Sequence, residues 1–386
     1  MPSSPKMRIP PHIRAWVEID LGRLEANVAT VRTALPKHLQ YIAVVKADAY
    51  GHGLEAVVER LMRADVDVFA VANLSEANTI REIGTGWPIL VLSALLPGEE
   101  TQAVQLGIMQ TVSSEGEVHR LQRAACKFKK PVRVHLKIDT GMGRLGVLPA
   151  AASGVYQAIC NSSHLELAGI STHFADSNAD PDYTAIQRER FLKTLNVLNH
   201  SDANDQLVHA DNSAGLDTFP PGGPFNGARV GLLQFGVSPH PGSLLATVRT
   251  LPVLTFHTRL SLIKTLPEGH SVSYGRTHQL SKETRIGVLS AGYGDGIPTA
   301  FSNSGHILLR GQKCPILGRV TMDQTMIDLS AVPEAEVGDT ATLIGDQGAH
   351  AITAREFAFS SHQIPWEAFC AITGRVARFY RTDTAL

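Results

Sequence analysis

From about Ala15 to about Gly236 the chain repeats one pattern: a short β-rich run, then apolar residues at helical spacing. This alternation constrains the fold more than any single residue, because such units pack as a parallel sheet covered by helices. Residues 16–20 read as a strand, and Leu21, Leu24, Val28, Val31 and Leu35 follow with a helical period, with Asp20 placed to cap them. Residues 41–46 (YIAVVK) form a continuous apolar run, as in a parallel strand covered on both faces. Leu54, Val57, Val58, Leu61 and Met62 make the next helical stripe. Strand 68–72 then pairs with helix 76–83 (Ser75 as cap), strand 89–93 with helix 99–106, strand 132–138 with helix 150–162, and strand 167–173 with helix 184–198. A short strand at 207–210 and a faint boundary at 228–230 close the series. About eight units fit a (β/α)8 TIM-like barrel better than an open sheet. No GxGxxG opens a helix after the first strand, which argues against a dinucleotide fold, although an open doubly wound sheet is the competing architecture.

The texture changes after about Pro241. Leu254, Phe256, Thr258, Leu260 and Leu262 alternate with period two, and short runs at 286–289, 307–309, 326–329 and 340–344 lie between glycine-rich turns. One helix interrupts them, opened by a TxxE capping box at Thr353 and Glu356. The expected organisation is an α/β barrel over 14–240 and a C-terminal mostly-β domain over 241–386, with segment 1–13 going with the second domain if with either. Residues 238–243 (SPHPGS) form the expected hinge.

Composition removes several classes of function. With 44% hydrophobic and 18% charged residues the 386-residue chain can bury a large core. A formal net charge of -1, with no basic stripe, gives no reason to expect a nucleic-acid partner. The N-terminal residues lack a signal-peptide apolar core, and no stretch approaches the roughly 18 apolar residues of a membrane span. Cys126, Cys160, Cys314 and Cys370 form no CxxC pair, so they read as core fillers rather than metal ligands, and the expected location is the cytoplasm.

In βα barrels chemistry collects at the C-terminal ends of the strands. Lys46 ends one run, His173 another, Asn212 and Ser213 follow the short strand, and Arg229, Val230 and Gly231 sit at the last boundary. A lysine closing an apolar strand is partly desolvated, which favours the neutral amine that condensation with an aldehyde cofactor requires. The alternative is a lysine snorkelling from the barrel rim.

VVKADAYGHG (44–53) closely resembles the cofactor-attachment signature of alanine racemases. WVEIDLGRLEANV near the start, KIDTGMGRLG (137–146), STHFA (171–175), HADNSAG (209–215), SYGRT (273–277), GYGDG (292–296) and GRVTMDQ (318–324) follow in that family's order, across nearly the whole chain. The resemblance implies a fold-type III enzyme that uses pyridoxal 5′-phosphate. It implies a head-to-tail homodimer whose active sites each combine the barrel of one subunit with the C-terminal domain of the other. The expected substrates are L- and D-alanine, and the expected role is supply of D-alanine for peptidoglycan.

The resemblance also implies roles. Lys46 carries the cofactor and serves the D-enantiomer's α-proton, and Tyr274 of the partner subunit serves the L-enantiomer's. Two bases on opposite faces racemise without rotating the substrate. A tyrosine with a pKa near about 10 needs positive charge or a relay to do this, for which His173 and Arg144 are the candidates. Arg229 faces the cofactor's pyridine nitrogen and resists its protonation, where aminotransferases place a carboxylate. Tyr50, Ser213 and the amides of Gly231 and Leu232 hold the phosphate, with His173 and Asn212 also on the cofactor. His209 orients Arg229. Arg144 and the Met322 N–H take the substrate carboxylate, Asp323 orders the Met322 loop, and Tyr293 lines the entry. Lys137 is either carbamylated, giving Arg144 an anionic partner, or ion-paired with Asp139. Taken singly, each has an ordinary reading: a satisfied core histidine, a rim arginine, a β-domain tyrosine, a core methionine.

Three positions depart from the pattern. Gly374 stands where the family often has a tyrosine touching the cofactor phosphate, Thr321 where cysteine is frequent, and Val230 where proline is common. The first opens space beside the substrate side chain, so a broader, serine-tolerant amino-acid racemase is the alternative. A basic amino-acid decarboxylase of the same fold type is disfavoured by Arg229 and the AYGHG run. A single-barrel cofactor-binding protein is disfavoured by the SYG and MDQ motifs. A phosphate-binding barrel enzyme without pyridoxal is the remaining reading.

Overall fold

The computed structural model describes residues 8–177, 179–199, 206–210, 223–237 and 248–382. Two compact units divide the chain. One takes Glu25–Ala49 and Leu54–Thr250. The other takes the chain through Leu24, the segment Tyr50–Gly53 and everything from Leu251 onward.

The first unit is built on eight parallel strands: β1 Gln40–Val44, β2 Val68–Val71, β3 Ile89–Val91, β4 Met109–Val112, β5 Val132–Lys137, β6 Leu165–Ser171, β7 Leu207–His209 and β8 Gly227–Val230. They bond in the order β7-β6-β5-β4-β3-β2-β1-β8, the sequence of a barrel opened at one seam. Every residue of β2, β3, β4, β7 and β8 is buried, as expected of strands with helices outside and a packed interior. The seam between β7 and β8 is bridged by Asn226. Its side-chain oxygen accepts from Val208 N at 2.7 Å, and its amide donates to the Gln206 carbonyl at 2.9 Å. Its backbone N–H reaches the Val208 carbonyl at 3.1 Å, and its carbonyl accepts from Gln40 N at 2.7 Å. One asparagine thus stands in for the missing rungs of the ladder.

The second unit is organised on the long strand Leu254–Leu266. Its first half lies between Ala15–Asp20 and Thr340–Gln347, and its second half pairs with Thr284–Leu289. Leu254, Phe256, Thr258 and Leu260 point into the core, as the period-two reading expects, but Leu262 is exposed. Thr353 caps helix Ala354–Ser360 by accepting from Glu356 N at 3.0 Å. A second helix, Pro365–Cys370, was not anticipated.

Two strands correct the sequence reading. Ala15–Asp20 is a strand, and Asp20 caps the following helix by accepting from Arg23 N at 2.9 Å. It pairs, however, with Leu254–Leu266 and Ala377–Arg381, in the β-rich unit and not in the barrel. The barrel's remaining strand is instead β4, Met109–Val112, which the alternation missed because Gln110 and Thr111 resemble a loop. Both are buried and donate internally: Gln110 to the Ser93 carbonyl at 2.7 Å and Thr111 to the Val91 carbonyl at 2.7 Å. The cap of helix Leu74–Ile83 is Asn73, not Ser75. Of the four cysteines only Cys314 is buried. The other three sit in the last turns of helices, outside the core. No helix among the described residues is long and apolar enough to cross a membrane. The expected hinge lies outside the described residues.

The seam gives a stability prediction. Asn226→Ala leaves two part-buried backbone groups without partners, so it is expected to lower unfolding free energy by about 1–3 kcal/mol. A denaturant titration with an unshifted midpoint would show that the seam closes without this side chain.

Candidate active site

At the C-terminal ends of the barrel strands lies a cavity of about 210 Å3, and its lining includes Lys46, Lys137, Asp139, Arg144, His173 and Arg229. Lys137 ends β5, Arg229 lies in β8, and Lys46 and His173 each stand two residues past a strand end. The sequence thus disperses over most of the barrel what the strands bring to one mouth. Four lysine and arginine side chains line this space, and Asp139 is committed elsewhere. Its carboxylate accepts from the backbone N–H groups of Gly141, Met142 and Gly143 at 2.9–3.1 Å. Among the described residues Lys137 forms no ion pair with it, so that one of the two sequence readings of Lys137 does not hold. The cavity is electropositive, which suits an anionic ligand.

Lys46 opens an unusual turn. Residues Lys46–Gly51 form one helical turn, yet φ is +54° at Ala47, +55° at Asp48, +52° at Ala49, +54° at Tyr50 and +75° at Gly51. The turn is left-handed. For L-residues other than glycine this costs roughly 1–2 kcal/mol each, and such strain persists only where surrounding contacts over-determine it. Glu76 provides part of that restraint: one carboxylate oxygen accepts from Ala47 N at 2.7 Å and the other from Ala72 N at 2.8 Å, fastening the turn to the end of β2. Asp48 accepts from Leu54 N at 2.7 Å, closing the far side. Glycine at position 51 is required twice over, by its φ and because a Cβ there would lie 2.4 Å from the Phe369 carbonyl oxygen.

Arg229 is the buried hub, only 5% exposed. It donates to the carbonyls of Thr172 (3.1 Å), His209 (3.3 Å) and Ala210 (2.7 Å), to His173 Nδ1 at 3.0 Å, and through a short bond to His209 Nδ1. A guanidinium has donors only. Both imidazoles must therefore present bare Nδ1 atoms and carry their protons on Nε2. Their acidities agree. Burial, and then the Arg229 charge, pushes His173 down to about 2 and His209 well below its ordinary value. Lys137 is also pushed well below the ordinary lysine range, by burial first and then by Arg229 and Arg144, against a weaker opposing pull from Asp139. A neutral lysine amine is nucleophilic, as carbamylation requires.

A groove of about 930 Å3 lies in the β-rich unit, and its lining includes Tyr274, Tyr293, Arg319, Met322 and Asp323. Tyr274 is 74% exposed and stands in a tight turn with Ser273, Gly275 and Arg276 all at positive φ. Ser273 Oγ anchors the turn by donating to the Arg319 carbonyl at 2.6 Å. The GYGDG and TMDQ loops are stitched together: Tyr293 N donates to the Thr321 carbonyl and Gly294 N to the Met322 carbonyl, both at 2.9 Å. Arg375 clamps the pair, contacting Asp323 at 2.7 Å and Asp295 at 3.2 Å.

The candidate residues therefore fall into two sets, each coherent within its unit. Gly231 and Leu232 directly follow β8, where Leu232–Phe235 forms a short 3-10 turn, and Tyr50 belongs to the left-handed turn. Asn212 and Ser213 lie outside the described residues. Sequence reasoning did not single out Glu76, Asp139 as an amide clamp, Arg375, or His135 behind His209. Of these only Asp139 carried a local signal, the D-T-G-M-G turn chemistry.

Comparison with known proteins decides the family. Residues 19–239 match the alanine racemase N-terminal domain and 253–380 the alanine racemase C-terminal domain. The chain belongs to the alanine racemase family. It is 38% identical over 367 residues to an alanine racemase of Halothermothrix orenii, covering 95% of this chain and 96% of that one. The crystal structure of alanine racemase from D-cycloserine-producing Streptomyces lavendulae superposes with a TM-score of 0.90 at 32% identity, covering 98% and 99% of the two chains. That of the Bacillus anthracis alanine racemase with bound L-Ala-P gives 0.89 at 32% identity, covering 97% of each. The chain is accordingly an isomerase of the alanine racemase class.

The buried histidines make stability pH-dependent. His135, pushed by burial to about 3, and His209 stay neutral in the folded chain but charge near about 6.5 when unfolded. The unfolded state then binds more protons, so stability is complete above about pH 6.5 and is lost as pH falls below it, by about 1.4 kcal/mol per unit per histidine. Denaturant midpoints are expected to be flat from pH 7 to 8 and to drop below 6.5. A midpoint independent of pH from 7 to 5 would mean these imidazoles do not stay neutral.

Proposed function

We propose that this chain interconverts L- and D-alanine with pyridoxal 5′-phosphate held on Lys46, using Lys46 and Tyr274 of the partner subunit as the two bases. The observation that carries the reading is the barrel-mouth cavity, where a half-buried lysine faces an arginine fixed by neutral imidazoles. The donor set fits that cofactor: an amine for its aldehyde, a permanent cation for its ring nitrogen, and positive charge for its phosphate. The cofactor, when bound, supplies the electron-withdrawing ring that acidifies the substrate's α-proton.

The chain's own residues do the rest. Lys46 holds or takes the α-proton on one face. The phenol of Tyr274, exposed in its groove, does so on the other, with a second copy bringing the groove of one subunit to the barrel mouth of its neighbour. His173, with its Nε2 protonated, supplies a donor from the cavity side and is the group suited to relay charge to that phenol. Arg229 cannot give up its proton, so it keeps the ring nitrogen unprotonated and limits side reactions. Arg144 and the Met322 N–H receive the substrate carboxylate, with Asp323 held by Arg375 to order the Met322 loop. Tyr293, 45% exposed in the same groove, limits side-chain size at the entry. Tyr50, Ser213 and the Gly231 and Leu232 amides are assigned to the phosphate, and Asn212 also to the cofactor. Carbamylated Lys137 would give Arg144 an anionic neighbour, a reading favoured by its lowered basicity. We assign the cofactor to the barrel unit, and to the chain a homodimeric state, a cytoplasmic location, and supply of D-alanine to peptidoglycan.

Complementation tests the shared site. Lys46→Ala and Tyr274→Phe are each expected to abolish racemisation of L-alanine. Mixed and re-formed dimers should regain up to about a quarter of wild-type activity, because one site per hybrid dimer is intact. Chiral analysis of product showing no recovery from verified hybrids would place both groups in one subunit's site.

Gly374 favours a second, broader reading. A Cβ added there meets nothing within 4 Å, so the position has open space for a larger side chain. Gly374→Tyr is expected to lower kcat/KM for L-serine relative to L-alanine by about tenfold, a difference of about 1–3 kcal/mol. An unchanged ratio would separate this position from side-chain selection.

A further inference from the structure

His135 ends a buried chain of hydrogen bonds that begins at the active-site cavity. It lies in β5 with no exposed surface. Its Nδ1 stands 3.1 Å from His209 Nε2, and the two rings lie 5.3 Å apart, centroid to centroid. Because Arg229 can only donate, His209 Nδ1 is an acceptor and its proton is on Nε2. That proton needs an acceptor, and Nδ1 of His135 is in place. His135 must then carry its own proton on Nε2, an atom that is buried with no hydrogen-bond partner among the described residues.

The arrangement is costly for stability alone. His135 supplies the acceptor that the His209 N–H needs, but leaves its own buried Nε2–H without a partner among the described residues. The ring also packs against glycine on the neighbouring strand: a Cβ on Gly169 would lie 2.5 Å from both His135 Cε1 and the Leu207 carbonyl oxygen and 2.6 Å from His135 Nδ1. Among the described residues no hydrogen bond continues the chain beyond His135, whose one side-chain hydrogen bond is with His209.

We propose that His135 is a positioning residue for Arg229: by accepting the His209 Nε2 proton it holds His209 in the tautomer whose Nδ1 faces the guanidinium, and thereby fixes the cation at the cavity. The inference rests on the reading that Arg229 faces the cofactor ring. Its structural half, the direction of both protons, does not depend on that reading. Order passes outward from β5 to β7 to β8: His135 selects the tautomer, His209 presents one acceptor to Arg229, and Arg229 presents its remaining donors to Thr172, Ala210 and His173.

The test uses full-length protein with pyridoxal 5′-phosphate added and 15N-labelled histidine, read by long-range 1H–15N correlation at neutral pH. The wild-type chain is expected to show protonated Nε2 and bare Nδ1 at both His135 and His209; a proton on Nδ1 of either overturns the proposal. His135→Leu should leave His209 distributed between tautomers and lower kcat roughly ten- to hundredfold, with KM changed less. His135→Asn, whose side-chain oxygen can replace Nδ1 as acceptor, should return His209 to one tautomer and kcat to within about threefold of wild type. A folded His135→Leu protein with wild-type kcat, or an Asn variant that restores neither signal nor rate, overturns it. If the leucine variant does not fold, the wild-type spectrum and the asparagine variant decide. A wild-type enzyme that shows the expected tautomers but does not racemise alanine would defeat the functional reading and not this one.

Discussion

A buried guanidinium that can donate but never accept sets the terms for the barrel mouth. Taking Arg229 out of water is expensive unless its N–H groups find acceptors. The carbonyls of Thr172, His209 and Ala210 and two imidazole nitrogens meet that demand. The choice has consequences. A carboxylate partner would neutralise the cation, whereas neutral imidazoles leave its positive charge undiminished. That charge then acts on its surroundings, helping to keep His173, His209 and Lys137 neutral. Burial is the first cause of the neutrality of these three neighbours, and the arginine adds to it.

The left-handed turn after Lys46 is a second constraint, of backbone rather than charge. Four consecutive non-glycine residues at positive φ are intrinsically unfavourable. They persist because Glu76 and Asp48 each take a backbone N–H that a right-handed turn would present elsewhere. The strain keeps Lys46 from running on into an ordinary helix, so its side chain stays at the rim of the cavity. The same economy appears in the β-rich unit, where positive φ at Ser273, Gly275 and Arg276 forces Tyr274 outward. Both bases of the proposed reaction are thus carried on distorted backbone braced by ordinary hydrogen bonds.

Much of the architecture was legible because the burial it demands leaves a periodic trace. The alternation at Leu254, Phe256, Thr258 and Leu260 and the stripe at Leu54, Val57, Val58 and Leu61 were read correctly for that reason. Met109–Val112 was not, since Gln110 and Thr111 are buried by satisfying carbonyls on neighbouring segments, which no local pattern records. Ala15–Asp20 was legible as a strand but not as a member of a particular sheet, because burial on both faces looks alike in either. The site divides similarly. Lys46, His173 and Arg229 were visible as reactive residues at strand ends and Lys137 only through the family resemblance, whereas Glu76, Arg375 and His135 act only through partners distant in the chain.

Sequence alone determined the kinds of chemistry present: an amine, a guanidinium, imidazoles and phenols, spaced so that strands could carry them to common ends. Tertiary structure decided their states. The hand of the turn at Ala47–Tyr50, the atom of His209 that bears the proton and the commitment of Asp139 to backbone amides each follow from contacts that exist only once the chain has folded. The physical reason is that charge state, tautomer and backbone hand are set by local dielectric and by the direction of available donors and acceptors. Both are properties of a place in space, not of a place in the chain.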